Sequence, residues 1–236
     1  MNIFTRPIQL NEALENNKVA VIYGVRQVGK TTLVKKFLST YKNKNDYFTG
    51  DDLEFAEAIS MCSLEIFRKM FSDPSLIVID EALKIENIGR AVKLIGDNMD
   101  DIKVILTGSS SFDLANKTGE SLTGRKIILT LYPVPQKEIL RGTSQFHLEK
   151  DLPEYLIYGS YPAVLTAETY TQKGEKLREL VNSYLIKDLL AFNLVKSSKP
   201  IRDLLKLLAF QIGGEVSLNE LASNLEIDKN TGALLY

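Results

Sequence analysis

Cysteine and histidine are nearly missing: the 236 residues hold one of each, Cys62 and His147. A lone cysteine excludes a disulfide scaffold. A lone histidine excludes a His-based metal cluster or Ser-His-Asp machinery. Cys62, between Met61 and Ser63 in a stretch of helical character, reads as a small packing residue, and His147 as a loop or surface residue. Long apolar runs are missing too. None approaches the roughly eighteen residues that a membrane span needs, and the first ten residues, with Arg6 and Pro7, hold no apolar segment of the signal-peptide kind. A cytoplasmic protein with no membrane partner is the expectation. Charge of one sign is also scarce: 29 basic against 30 acidic residues give a net charge of −1, which argues against general nucleic-acid affinity. A local patch such as Lys196, Lys199, Arg202 and Lys206 stays open. What is present is a globular composition, 44% hydrophobic and 25% charged, able at this length to bury about 70% of the unfolded chain's surface.

The most informative segment is Gly24, Val25, Arg26, Gln27, Val28, Gly29, Lys30 and Thr31, a complete G-x-x-x-x-G-K-[ST] phosphate loop, with Thr32 following. Its frame is right. Residues 19–23 form an apolar run that reads as a buried parallel strand, and residues 31–38 have helical spacing with Leu33, Val34 and Phe37 on one face. In such a loop the glycines let backbone N–H groups and the positive helix end face phosphate oxygens. Lys30 then reaches the β and γ oxygens, and Thr31 offers its hydroxyl to Mg2+. A second run, Leu76 to Asp80 and Glu81, is a central strand closed by two carboxylates. Asp80 is expected to bind Mg2+ directly or through water, and Glu81 to orient or deprotonate the attacking water. Together these motifs indicate a nucleoside-triphosphatase with ATP and Mg2+ as cofactors. A third strand, 103–107, ends in Gly108 and Ser109, where Thr107 or Ser109 has two readings: a bond to the γ-phosphate or water, or satisfaction of a turn. Asp51 and Asp52 follow a strand and read as helix caps rather than catalytic groups.

The phosphate loop through Thr32, then Ile79 to Glu81, Leu106 to Ser110, Glu120 to Arg125 and Tyr158 to Pro162, in this order, resemble the prokaryotic AAA-superfamily ATPases that carry a winged-helix region and an uncharacterised C-terminal domain. The resemblance covers most of residues 1 to 235. It implies that Arg125 acts as a finger in the neighbouring subunit's site, worth about 10³–10⁵ in rate, and hence that the chain forms a homo-oligomer. A surface arginine paired with Glu120 is the alternative. The resemblance also implies an adenine contact at Tyr161 and Pro162, although Ser160 stands where glycine is expected.

Along the chain, strands at 19–24, 46–50, 76–80, 103–107 and 126–131 alternate with helices at 31–39, 53–60, 63–71 and 86–98. That alternation predicts an α/β fold, a doubly wound and mostly parallel P-loop sheet of AAA type. Three regions are expected: an ATPase core over 1–135, a helical lid over 136–198, and a partial winged-helix or helix-turn-helix module over 199–236. Lys187 could reach a phosphate when the lid closes, against the plainer reading of a solvated lysine. In the last module Ser217 and Asp228 suit N-caps and Ala222 suits a helix crossing. Residues 211–236 carry four acidic residues and one lysine, and Gly232 weakens the second helix, so a structural or subunit-contact use is favoured over DNA binding. Residues 233–236 break off within an apolar helical pattern, so a longer parent protein is expected. Two functions fit: an ATPase that moves its lid and helix-turn-helix, or a nucleotide-gated DNA-binding or adaptor switch with slow hydrolysis. A small-molecule P-loop kinase is a weaker third.

Overall fold

The computed structural model describes residues 6, 8–71, 74–109, 126–182 and 198–225. In chain order its first elements are α1 (Leu10–Asn16), β1 (Val19–Tyr23), α2 (Lys30–Leu38), β2 (Asn45–Thr49), α3 (Leu53–Ser60), α4 (Leu64–Met70), β3 (Leu76–Asp80), α5 (Ile88–Asn98), β4 (Lys103–Gly108) and β5 (Lys126–Thr130). The strands form one sheet in the order β2-β3-β4-β1-β5, every neighbouring pair parallel. β1 and β3 are buried along their whole length, which explains their unbroken apolar sequences. Edge strands β2 and β5 are only partly covered and carry polar residues.

Alternate residues of each central strand feed opposite layers. On one face Val19, Val21, Ile77, Ile79, Val104 and Leu106 join Phe55 and Ile59 of α3, Phe67 of α4 and Ile88, Val92 and Ile95 of α5. On the other, Ala20, Ile22, Leu76, Val78 and Ile105 join Leu10 and Leu14 of α1, Leu33 and Val34 of α2, and Val28 of the glycine loop. Each such large side chain stabilises the fold by about 1.5–3 kcal/mol relative to exposure. Val28 thus ties the loop to the second layer.

The five strands and four helices expected between residues 19 and 131 are present, with local corrections. Cys62 is not helical: it sits between α3 and α4 at φ 49°, while its side chain packs on the larger core. α5 begins at Ile88 because Asn87 is left-handed. Asp52 caps α3, accepting from the Phe55 N–H at 3.2 Å. His147 is exposed but lies in the helix Gln145–Lys150, its Nδ1 2.7 Å from the Ser144 hydroxyl.

Contacts divide the chain into two compact units, Met1–Thr166 and Ala167–Tyr236. In the first, the stretch after β5 forms a small separate core of Val134, Ile139 and Leu148 with Tyr155 and Leu165. Arg6 pairs with Glu138 at 3.2 Å, both nearly buried, and donates to the Tyr132 carbonyl. Burial lowers the guanidinium's pKa and raises the carboxyl's, in each case against the partner's charge, so the pair fixes position more than it stabilises. The second unit contains Tyr170–Leu180, opened by a Thr169–Gln172 capping box, then Ser198–Phe210 and Leu218–Asn224. The helix Ser198–Phe210 crosses the boundary expected between residues 198 and 199, with Pro200 in its first turn. Ser217 caps the last helix as expected. The expectations for Ser110, Glu120, Arg125, Lys187, Lys196, Asp228, Gly232 and residues 233–236 lie outside the described residues.

Candidate nucleotide site

Three strands deliver their polar ends to one edge of the sheet, where ligands bind in open α/β folds. β1 runs into the glycine loop. Gly24 is required there because a Cβ would overlap the Leu131 carbonyl, whose N–H in turn donates to the Tyr23 carbonyl at 2.6 Å. Gly29 has φ +99°, a conformation open to glycine, and stands at the N-cap of α2 with no side chain capping that helix. The first-turn N–H groups of α2 therefore remain available to an anion. Gln27 also has positive φ, Val25 and Gln27 are exposed, and Arg26 is partly covered. Thr32 is exposed on α2.

Lys30 is 5% exposed, and its Nζ donates to the carbonyls of Gly24 at 2.8 Å and Val25 at 3.1 Å. Burial lowers its pKa, opposed by the charges of Glu81 and then Asp80. On the other side of the site Asp80 is 7% exposed and accepts three hydroxyl bonds. Thr31 Oγ1 donates to Oδ2 at 2.7 Å, Tyr47 Oη donates to Oδ2 at 2.6 Å, and Thr107 Oγ1 donates to Oδ1. Burial pushes the Asp80 pKa up, but the bonds from Thr107, Tyr47 and Thr31, with a backbone bond at Glu81, outweigh it and hold it below the usual carboxylate value. Tyr47 is correspondingly held protonated, by burial first and then by its bond to Asp80.

Glu81 follows in the left-handed region, φ 50° and ψ 41°, with its N–H donating to Thr107 Oγ1 at 3.1 Å. Thr107 is fully buried, and its single hydroxyl donates to Asp80 while accepting from Glu81. Both bonds of that hydroxyl thus serve the Asp80–Glu81 turn. Ser109 lies just past β4, partly exposed. Tyr161 and Pro162 stand apart in the chain, opening Pro162–Leu165, where the Ser160 carbonyl accepts from the Val134 N–H at 2.9 Å. Tyr47 and Gly50 were not anticipated from sequence. Gly50 N–H donates to the Asp80 carbonyl at 2.8 Å, yet nothing local to residues 45–50 signals a partner thirty residues away.

An AAA domain matches residues 16–140, more than half of the chain. The chain belongs to that AAA-domain family. Its core is accordingly an AAA-type Walker ATPase domain, for which ATP binding is implied. A domain of unknown function (DUF8612) matches residues 149–233 of the same AAA-domain chain. An uncharacterised protein of Methanocaldococcus jannaschii, MJ1544, is 24% identical over 238 residues, covering 95% of this chain and 53% of its own length. An uncharacterised Haemophilus influenzae protein is 24% identical over 235 residues, covering 94% and 58%. The AAA-domain chain thus spans a little over half the length of the curated relatives it matches. Among solved structures it is similar in fold to the Walker-type ATPase PABY2304 of Pyrococcus abyssi, with TM-score 0.51, 18% identity, and coverage of 99% of this chain and 96% of that one.

Proposed function

We propose that this AAA-domain chain hydrolyses ATP with Mg2+ and uses the change of state to act on its C-terminal helical region. The observation that carries the proposal is the 2.7 Å bond from Thr31 to Asp80, which joins the hydroxyl of the glycine loop to the carboxylate of β3. A hydroxyl and an ionised carboxylate are hard oxygen donors suited to Mg2+, which takes one or two carboxylates and completes its shell with phosphates and water. Held by Thr31 and Asp80, such an ion would supply neutralisation of the phosphate charge.

The chain's own residues supply the rest. Lys30 exchanges its two loop carbonyls for β and γ oxygens, with Gly24 to Thr32 wrapping the phosphates. Glu81 orients the attacking water and accepts its proton as the bond to the γ-phosphorus forms and the bond to ADP breaks. Thr107 positions both carboxylate residues, and Ser109 faces the γ-phosphate side. Tyr161 and Pro162 contact adenine, and Arg125 acts in trans within a homo-oligomer. The working division remains a core over 1–135, a lid over 136–198 and a helix-turn-helix module over 199–236. No helix among the described residues is long and apolar enough to cross a membrane.

The test is ATP turnover per chain across a protein concentration series, with Lys30→Ala as the blank. Turnover abolished in that variant, and stopped with ATP retained in Glu81→Gln, is the expected result. Equal turnover in Lys30→Ala overturns the site. A specific rate rising with concentration would indicate subunits completing one another's sites and make Arg125 the next target, whereas a flat, low rate would point to a monomeric nucleotide-gated switch.

A further inference from the structure

We infer that the end of edge strand β2 is a working part of this site, Tyr47 positioning the Asp80 carboxylate and Gly50 positioning the Glu81 backbone. The inference rests on the roles proposed above for Asp80 and Glu81. Parallel pairing sets Thr49 opposite Asp80, so Tyr47 lies two residues back on the same strand face and reaches forward to the carboxylate. Its phenol donates to Oδ2 at 2.6 Å, the oxygen that also accepts from Thr31 at 2.7 Å. A carboxylate oxygen has about two acceptor positions. Oδ2 is therefore filled from two sides, by α2 and by β2, while Oδ1 accepts from Thr107. The Tyr47 ring is itself flanked by the Lys35 ammonium, 5.7 Å from its centroid and four residues after Thr31 on α2. The phenol thus ties the helix that leaves the phosphate loop to the strand bearing the metal carboxylate, and it fixes which oxygen is presented.

Gly50 acts on the next residue. Its N–H donates to the Asp80 carbonyl at 2.8 Å, and a Cβ at this position would overlap the Glu81 carbonyl oxygen and crowd Lys84 Cβ at 3.3 Å. Glu81 is left-handed, so its placement depends on neighbours that over-determine the turn. Those neighbours are Gly50, the Thr107 hydroxyl and the ion pair between Asp51 and Lys84. Any side chain at 50 displaces the turn and, with it, the Glu81 carboxylate.

The two halves separate in one experiment. Binding of a fluorescent ATP analogue is titrated with Mg2+ for wild type, Tyr47→Phe, Gly50→Ala and Lys30→Ala, and steady-state turnover is measured alongside. Tyr47→Phe should raise the Mg2+ concentration at half-saturation about tenfold or more, while affinity for the analogue in EDTA stays at the wild-type value. Gly50→Ala should keep the Mg2+ dependence of binding and lower kcat about tenfold or more. Wild-type Mg2+ dependence in Tyr47→Phe overturns the inference, and this variant, which removes one oxygen, decides it even where Gly50→Ala does not fold. Wild-type kcat in Gly50→Ala overturns the Gly50 half. Lys30→Ala that binds the analogue like wild type overturns the underlying site as well, whereas loss of binding in Lys30→Ala with no effect in Tyr47→Phe overturns only the inference.

Discussion

Lys30 and Asp80 are both buried charges of one site, and they are held in opposite ways. Lys30 donates to carbonyls of Gly24 and Val25, partners five and six residues away on its own loop. Asp80 accepts from hydroxyls on α2, β2 and β4, three separate elements of the layered core. The cation's partners are local and replaceable by phosphate oxygens without disturbing the sheet. The carboxylate's partners come from two strands of the sheet and from the first turn of α2. In the function proposed above, the lysine side of the site is completed by ligand, whereas the hydroxyl bonds of the acidic side are already made by folding.

The sharpest way to break this contrast is Lys30→Ala, which should weaken ATP binding by about 2–5 kcal/mol, read by calorimetric titration, while the urea unfolding midpoint moves little. Asp80→Asn should behave in the reverse sense. An amide offers one acceptor oxygen to three hydroxyl donors, so folding stability should fall by roughly 3 kcal/mol in urea unfolding, even without nucleotide. Thr107→Val is next, at about 1–3 kcal/mol, because it removes both the donor to Asp80 and the hydroxyl that accepts from the Glu81 N–H. The smallest effect is a pH dependence. The folded pKa of Asp80 is depressed, so its stabilising contribution is complete above the unfolded carboxylate pKa and is lost as pH falls through the folded value. The stability gap between wild type and Asp80→Asn should accordingly narrow between neutral pH and about pH 3; a constant gap would show that the hydroxyl bonds do not favour the ionised form.

What sequence conveys about this site follows the same division. The loop from Gly24 to Thr32 is contiguous, and its spacing alone identifies it. Asp80 and Glu81 are legible because a buried apolar run ending in acid is unusual, β1, β3 and β4 follow from their apolar runs, and α2 follows from its helical spacing. Tyr47 and Gly50 were not legible. Their partners are set by strand pairing between β2 and β3, and the register that brings Tyr47 to Asp80 is a property of the assembled sheet. Thr107 was legible as a polar strand end, but the direction of its hydroxyl depends on the Asp80–Glu81 turn across the β3–β4 pair. Cys62 and Asn87 show the limit of periodicity, since each interrupts a helical pattern by taking a left-handed backbone that composition does not reveal.

The left-handed backbone of Glu81 bears on how such a chain can change over generations. For a non-glycine residue that conformation carries about 1–2 kcal/mol of strain, which glycine largely escapes. Glu81→Gly should therefore make the protein more stable in urea while ending turnover. Where selection for hydrolysis relaxes, drift is biased towards losing this carboxylate, and descendants that retain the phosphate loop but lack the acid would be sturdier nucleotide binders than their parent.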